Sequence, residues 1–149
     1  MTSSSDSELD ACFVEGCRLR DEDDVDAAIR VFEDVLERAG QGDRMAFAAS
    51  CQLGYVHGFV SSDYARGLQY FRMATTIRPQ SELASLAAFH MLLNLGRRVE
   101  AMEEAIRYLR LASSKEYSEL LFSSDFEAEA SGRSKELLAV ARDLILGRN

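Results

Sequence analysis

Apolar residues recur along this chain at the i, i+4 and i+7 spacing of one helix face, and one nine-residue form of the pattern occurs three times. The copies begin at positions 28, 67 and 105, so they lie 39 and 38 residues apart. Each copy has a small residue, a large apolar residue four positions later, and an apolar or small residue three positions after that. The pattern predicts that Phe32, Phe71 and Leu109 are equivalent core positions in three closely packed helices.

The periodicity predicts helices along most of the chain, and no strand-like alternation persists. The helices are expected near 7–20, 24–38, 44–60, 63–77, 81–95, 98–113, 115–122 and 133–147. Their starts are predicted by capping boxes at Ser5 with Glu8 and at Ser113 with Glu116, and by N-caps at Asp24, Asp63, Ser81 and Ser134. Their ends are predicted at Gly40, Gly42, Gly96 and Gly147. The length of 149 residues favours a single all-α domain, 7–149, after a flexible terminus of residues 1–6.

A second helical segment precedes the repeated pattern, and together the two segments resemble the tetratricopeptide repeat family. The pattern of that family is W-x2-L-G-x2-Y, then A-x3-F, then P. Leu53 and Gly54 match its leucine and glycine, and Gly16 matches the glycine in the first unit. Pro79 follows Phe71 by eight residues, as the family's proline does. The second unit is also similar to a Sel1-like repeat, through Leu53-Gly54, residues 63–67, Tyr70-Phe71 and Ala74.

The resemblance implies a right-handed α-solenoid of antiparallel helix pairs. Residues 120–138 resemble the closing segment of bacterial tetratricopeptide proteins, so the helix at 133–147 is expected to cap the stack. The third unit has two possible registers. Ala101, five residues after Gly96, fits the motif as well as Ala105 does.

The first helix of each tetratricopeptide pair lines a concave groove, and the resemblance therefore implies a binding surface. The implied groove positions are Asp10, Phe13, Cys17, Arg20, Cys51, Tyr55, Gly58 and Phe59, followed by Phe89 or His90 with Leu92 and Leu93, depending on the register. The first helices carry apolar residues nearly all round, so their aromatic residues are hard to bury together. We expect an exposed apolar patch here, and such a patch usually marks an interface.

The net charge of −8 is unevenly distributed along the chain. Residues 1–44 hold 13 acidic residues and 5 arginines, which amounts to −8, while the remainder is balanced. The run 21–26, with Asp23 and Asp24, is the densest acidic segment. This distribution disfavours binding to nucleic acid or to an anionic membrane, and it suits a basic protein partner.

Few residues suggest chemistry. His57 and His90 are the only histidines, and the cysteines Cys12, Cys17 and Cys51 form no CxxC pair. The acidic run lacks the glycine and glutamate that a calcium-binding loop needs at its sixth and twelfth positions. We therefore expect no enzyme activity, no metal and no cofactor. The odd number of cysteines, the absence of a secretion signal and the absence of a long apolar run favour a cytoplasmic protein.

The sequence thus favours a non-catalytic adaptor that binds a basic protein or peptide through an apolar groove with an acidic flank. The predicted partner-binding residues are Phe13, Arg20, Tyr55, Phe59, Phe89, His90, Asp23 and Asp24. Size, the excess of arginine over lysine and the tail suggest a bacterial origin, and a narrower hypothesis is a toxin-neutralising immunity protein. A hypothesis from another class is a small-molecule-binding or thiol-dependent helical bundle that uses Cys17, Cys51 or His57. Self-association into a homodimer stays open.

Overall fold

The computed structural model describes residues 4–148, and these residues form two compact units, unit 1 up to Arg78 and unit 2 from Pro79 onward. Within the described residues all regular secondary structure is helical, as predicted. Unit 1 contains α1 (Ser4–Asp21), α2 (Val25–Arg38), α3 (Arg44–Gly54), a π-helical segment (Tyr55–Val60) that continues α3, and α4 (Tyr64–Ile77). Unit 2 contains α5 (Glu82–Asn94), α6 (Arg98–Leu109), α7 (Lys115–Leu121), α8 (Ser124–Glu129) and α9 (Gly132–Ile145). Helix α1 begins inside the stretch 1–6 that the sequence assigns to a flexible terminus, and residues 1–3 lie outside the described residues.

In unit 1 each helix packs against the next one in the chain, α1 on α2, α2 on α3 and α3 on α4. The same close contact occurs twice in this unit. A Cβ atom added at Gly16 would lie 2.7 Å from the ring of Phe32, and one added at Gly54 would lie 2.9 Å from the ring of Phe71. Both phenylalanines are buried, as predicted. The glycines therefore let the helices of each pair approach closely enough to bury an aromatic ring between them.

In unit 2, α5 packs on α6, and α6 and α7 pack on α9. The core includes a cluster of aromatic rings, in which Phe89 lies 5.3 Å from Tyr117 and 6.0 Å from Phe126 between ring centroids. Beside it lies a polar network: the Ser85 hydroxyl donates to a carboxylate oxygen of Glu104 at 2.6 Å and lies 2.8 Å from the Tyr117 hydroxyl. The helix predicted at 133–147 is present as α9, and α9 buries Leu137, Leu138 and Ala141.

The structure decides the register of the third repeat in favour of Ala101. Helix α6 begins at Arg98, so Ala101 is its fourth residue, as Ala28 is in α2 and Gly67 is in α4. The prediction that Leu109 is a core position equivalent to Phe32 and Phe71 is wrong, because Leu109 is the last residue of α6 and is only half-buried. Ala105, four residues after Ala101, is fully buried in its place.

Two of the predicted N-caps are confirmed, and others are displaced. The Asp63 carboxylate accepts from the Arg66 amide and the Ser81 hydroxyl accepts from the Ala84 amide, both at 3.2 Å. The caps of α7 and α9 are Ser114 and Ser131, not Ser113 and Ser134. Asp24 precedes α2 but its side chain makes no capping hydrogen bond, and Ser5 lies within α1. Of the predicted stop glycines, Gly42, Gly96 and Gly147 have positive φ.

Two of the helix predictions need correction. Helix α6 ends at Leu109 and does not reach 113, and the short helix α8 was not predicted. Ser123 starts α8, because its hydroxyl accepts from the amide of Phe126 at 3.2 Å. This helix places the Phe126 ring against Phe89.

Candidate functional site

An exposed apolar cluster lies in the π-helical segment Tyr55–Val60, which continues α3 in unit 1. Tyr55, Phe59 and Val60 are 46%, 48% and 47% exposed, and we call these three residues the aromatic surface. The Tyr55 and Phe59 rings lie 6.0 Å apart, and Phe59 also meets the buried Phe71 ring edge-on at 6.0 Å. The surface is thus anchored on the core. Adjacent exposed aromatic and aliphatic side chains of this kind characterise sites where proteins bind other proteins.

The backbone under the aromatic surface is a π-helical turn. The Ser61 amide donates to the Val56 carbonyl oxygen, five residues earlier, at 3.0 Å. The wider turn holds one residue more than an α-helical turn, and such turns often occur at functional sites. Val56 and Gly58 are buried within it, whereas Tyr55 and Phe59 face solvent.

The buried polar residue beneath this surface is His57. Its side chain is 6% exposed, and its ring stacks on the Tyr70 ring at 5.6 Å with an interplanar angle of 8°. The Nε2 atom is buried and has no hydrogen-bond partner within the described part of the chain. Burial lowers the pKa of His57, the nearby Arg66 lowers it further, and Asp63 and Glu33 act in the opposite direction. His57 is therefore neutral at pH 7.

An acidic turn joins α1 to α2. It comprises residues 21–26, in which Asp23 has φ of 61° and the Asp24 amide donates to the Leu19 carbonyl oxygen at 2.9 Å. The two arginines at the end of α1 are already engaged: Arg18 pairs with Glu15 and Glu22, and Arg20 pairs with Asp21. Within residues 4–148, no ion pair involves the exposed carboxylates of the rest of the turn, which are Asp23, Asp24 and Asp26. The turn therefore keeps uncompensated negative charge in water.

Two contacts place the acidic turn at the same end of unit 1 as the aromatic surface. Asp10 of α1 pairs with Arg44 of α3 at 2.9 Å, and Arg20 of α1 donates to the side-chain oxygen of Gln52 of α3. The two contacts are ten residues apart along α1, about 15 Å of helix, and eight residues apart along α3, about 12 Å. Because they occur in the same order along both helices, α1 and α3 run in the same direction. The residues that follow Arg20 and Gln52 are the acidic turn and the beginning of the aromatic surface.

Several predicted binding and groove positions are buried, wholly or in part. Phe89 is 0% exposed and lies under Tyr117 and Phe126, so its predicted role in binding is wrong. Leu92 is also buried, and the predicted groove position Gly58 is buried as well. Phe13 is half-buried and packs on Phe32 at 5.5 Å, which makes it part of the core and not the unburied aromatic expected from the sequence.

Other predicted residues are only partly accessible. Arg20 is half-buried and is engaged by Gln52 and Asp21. His90 of unit 2 lies on the wall of an open pocket of about 340 Å³ that also contains Arg98 and Phe126. Burial lowers the pKa of His90. Arg98 pairs with Glu129 and covers the Phe126 ring at 5.3 Å, so its charge is already balanced.

Cys17 and Cys51, the two cysteines named in the thiol-dependent hypothesis, are partly buried. Burial raises the pKa of Cys17, and it raises that of Cys51 to about 11. Both are therefore protonated at neutral pH, whereas a reactive cysteine acts as the thiolate. This argues against the thiol-dependent hypothesis. In residues 4–148 no three histidine, cysteine, aspartate or glutamate side chains come together in a way that could hold a metal ion.

Fold and site together define a class: an all-helical protein whose successive helices pack against their neighbours within each unit, with an exposed aromatic surface beside an acidic turn. No family model matches the chain, and no curated protein matches it significantly. None of the helices in the described range is long and apolar enough to cross a lipid bilayer.

Proposed function

We propose that the chain is a non-catalytic interaction module that binds a basic segment of a protein through the aromatic surface of unit 1. The observation that carries the proposal is the joint exposure of Tyr55, Phe59 and Val60, each nearly half accessible while resting on a buried phenylalanine. A rigid, exposed aromatic pair can bury a large area on binding at little cost in side-chain entropy. Residues of this type supply most of the affinity in many interfaces.

The acidic turn supports a basic partner. Asp23, Asp24 and Asp26 are exposed, carry no ion pair within the described residues, and lie at the same end of unit 1 as Tyr55. Carboxylates at the rim of an apolar site attract cationic partners and repel acidic ones. The proposed occupant is therefore a segment with apolar residues for the aromatic surface and lysine or arginine residues for the turn. A toxin-neutralising role is a narrower form of this proposal, and the identity of the partner decides it.

The proposed architecture is a right-handed stack of helix pairs of the tetratricopeptide or Sel1-like type. Its support is the repeated contact of Gly16 with Phe32 and of Gly54 with Phe71. In the third pair Ala105 lies four residues after Ala101, as Phe71 lies four residues after Gly67, and both alanines are fully buried. A left-handed arrangement of the helix pairs would exclude the family.

The proposal can be tested with matched baits. The intact protein, the variant Tyr55→Ala/Phe59→Ala and the control Leu83→Ala are each used to retain proteins from the native cell. Leu83 is 64% exposed and belongs to unit 2, so its truncation removes an exposed apolar side chain that is not part of the proposed site. We expect a basic protein that the first and third baits retain and the second does not. Equal retention by all three folded baits would reject the proposed surface.

A further inference from the structure

His57 lies between the aromatic surface and the core, and its environment accepts only the neutral ring. A neutral ring can carry its proton on Nδ1 and leave Nε2 without a hydrogen, whereas in the protonated ring both nitrogens carry one and Nε2 must donate. That atom is buried and faces no acceptor in the part of the chain that the structure describes. A buried charged donor without an acceptor is strongly unfavourable, so protonation must be accompanied by movement of the ring towards water or towards a carboxylate.

The charged and titratable groups around His57 come from two elements. Helix α4 and its cap contribute Asp63, Arg66 and Tyr70, and α2 contributes Glu33. Residues 45–54 of α3 carry no acidic or basic side chain, and the thiol of Cys51 is protonated. The two carboxylates could receive a charged ring only after it leaves its stack on Tyr70, since Nε2 has no partner in the present arrangement.

The π-helical segment is the element that such a movement would change. It holds His57 between Tyr55 and Phe59, and the amide of Asp63, the cap of α4, donates to the His57 carbonyl oxygen at 2.7 Å. A π-helical turn differs from an α-helical turn by one residue in its hydrogen bonds. Release of the His57 ring from its stack on Tyr70 would allow a shift of that register, which rotates the side chains that follow within the segment by about 100° about the helix axis, the angle that one residue subtends. Phe59 and Val60 follow His57 directly.

We infer that protonation of His57 reorganises the segment Tyr55–Val60 and thereby removes or remodels the aromatic surface, so that docking at this surface responds to pH. The effect of pH on docking rests on the function proposed above, whereas the structural change itself does not. The lowered pKa of His57 agrees with it, because burial is the largest cause of that lowering.

The structural change can be measured without a partner. We would titrate the isolated protein between pH 7.5 and 4.5 by NMR and follow the ring of His57 and the backbone amides of residues 55–60. An uncharged gadolinium chelate added at each pH reports the exposure of the Tyr55 and Phe59 rings. We expect the amides and the ring exposures to change with the same midpoint as His57, below the ordinary histidine pKa of about 6.5.

The matched variants are His57→Gln, which cannot be protonated, and His90→Gln, which removes the other histidine. The transition should vanish in the first variant and persist in the second. A titration of His57 that leaves the amides and both rings unchanged would overturn the inference. A transition that persists in His57→Gln would overturn it as well, since the surrounding carboxylates would then be its cause.

Chemical unfolding provides a second measurement should His57→Gln fold poorly. The unfolded chain binds a proton at the ordinary histidine pKa and the folded chain only below it. Each histidine with a lowered folded pKa therefore destabilises the protein as the pH falls between these two values, and His57 by itself raises the unfolding constant by up to tenfold per pH unit. His90→Gln should keep this dependence. An unfolding constant of His90→Gln that does not rise as the pH falls through this range would contradict the inference.

The proposed function has a separate outcome. If the surface moves with His57 but no partner requires Tyr55, the docking role fails and the conformational response stands. If a partner binds through Tyr55 equally well at pH 7.5 and at the midpoint of His57, the docking role stands and the inference fails.

Discussion

The two units differ in how far their aromatic side chains are buried. In unit 2 the ring of Phe89 on α5 is fully buried, because Tyr117 of α7 and Phe126 of α8 lie against it. In unit 1 Tyr55 and Phe59, at the end of the α3 segment, remain nearly half exposed. Both sets of rings contact a helical core. Their exposure differs because additional helices pack over one set and not over the other. An aromatic residue in a helix of this kind therefore indicates a binding surface only when no other helix packs over its ring.

The helices after α6 explain the burial in unit 2. Helices α7, α8 and α9 supply rings and apolar side chains, among them Tyr117 and Leu138, which are at most 3% exposed. Tyr117 also bonds to Ser85 of α5 and thereby fixes its position. Terminal elements of helical repeat proteins commonly cover apolar surface in this way. Covered aromatic rings contribute stability, and uncovered rings remain available for binding.

The largest expected effect is in the two cores. Phe71→Ala should destabilise the protein by about 3–5 kcal/mol, since it removes a ring that is only 2% exposed. Leu109→Ala, at the position that the sequence wrongly pairs with Phe71, removes a half-buried side chain and should have a clearly smaller effect. Chemical unfolding followed by circular dichroism measures both. Equal losses would mean that the register based on Ala101 is incorrect.

The comparison of covered and uncovered rings gives the second prediction. Phe89→Ala should cost about 3–5 kcal/mol, as truncation of a buried phenylalanine usually does. Phe59→Ala should cost about 1 kcal/mol, because that ring is already half in water. The same unfolding measurement applies to both variants. A cost for Phe59→Ala as large as that for Phe89→Ala would show that Phe59 is a structural residue and not part of a binding surface.

Close packing in unit 1 provides a third, smaller effect. In Gly54→Ala the new methyl group would lie 2.9 Å from the Phe71 ring, and overpacking of this kind costs about 1–3 kcal/mol. The smaller side chain in Phe71→Leu should relieve the overlap, so the double variant should be less destabilised than the sum of the two single changes. Strict additivity in unfolding experiments would argue against the contact. At Gly96, where an added Cβ meets nothing within 4 Å, only the strain of positive φ should matter.

The acidic turn should contribute little to stability. Asp23→Asn and Asp24→Asn together remove two charges, and asparagine tolerates the positive φ of residue 23. We expect a change in stability within about 0.5 kcal/mol. Association with a basic partner should become several-fold slower, with little change in dissociation, and raised salt should have the same effect on the intact protein. Association that is unaffected by both changes would exclude the turn from recognition.

Much of the fold follows from local sequence. The spacing of Ala28 and Phe32, and of Gly67 and Phe71, identifies helix faces that the structure buries. The third copy was misread because Ala101 and Ala105 both satisfy the spacing, and only the start of α6 at Arg98 distinguishes them. The N-caps of α7 and α9 differ from the predicted ones by one and three residues, because another serine lies close by in each case and can accept the capping hydrogen bond.

The candidate site could be predicted only in part. Tyr55, Phe59, Asp23 and Asp24 are exposed, as expected, and their role in binding stays a prediction. The burial of Phe89 depends on Tyr117 and Phe126, which are 28 and 37 residues away in the chain, so no local pattern reveals it. The π-helical turn and the unpartnered Nε2 of His57 were also missed. A change in hydrogen bonding from the fourth to the fifth preceding residue leaves the order of apolar and polar residues unchanged.

The central claim is that the aromatic surface of unit 1 holds a partner, and the dissociation rate of the purified complex tests it most directly. Tyr55→Ala/Phe59→Ala should dissociate at least about tenfold faster than the intact protein, since truncation of aromatic residues at the centre of an interface commonly costs about 2 kcal/mol or more of binding energy. Its circular dichroism spectrum should be unchanged, and Leu83→Ala should dissociate at the original rate. A folded double variant that releases the partner at that same rate would contradict the account.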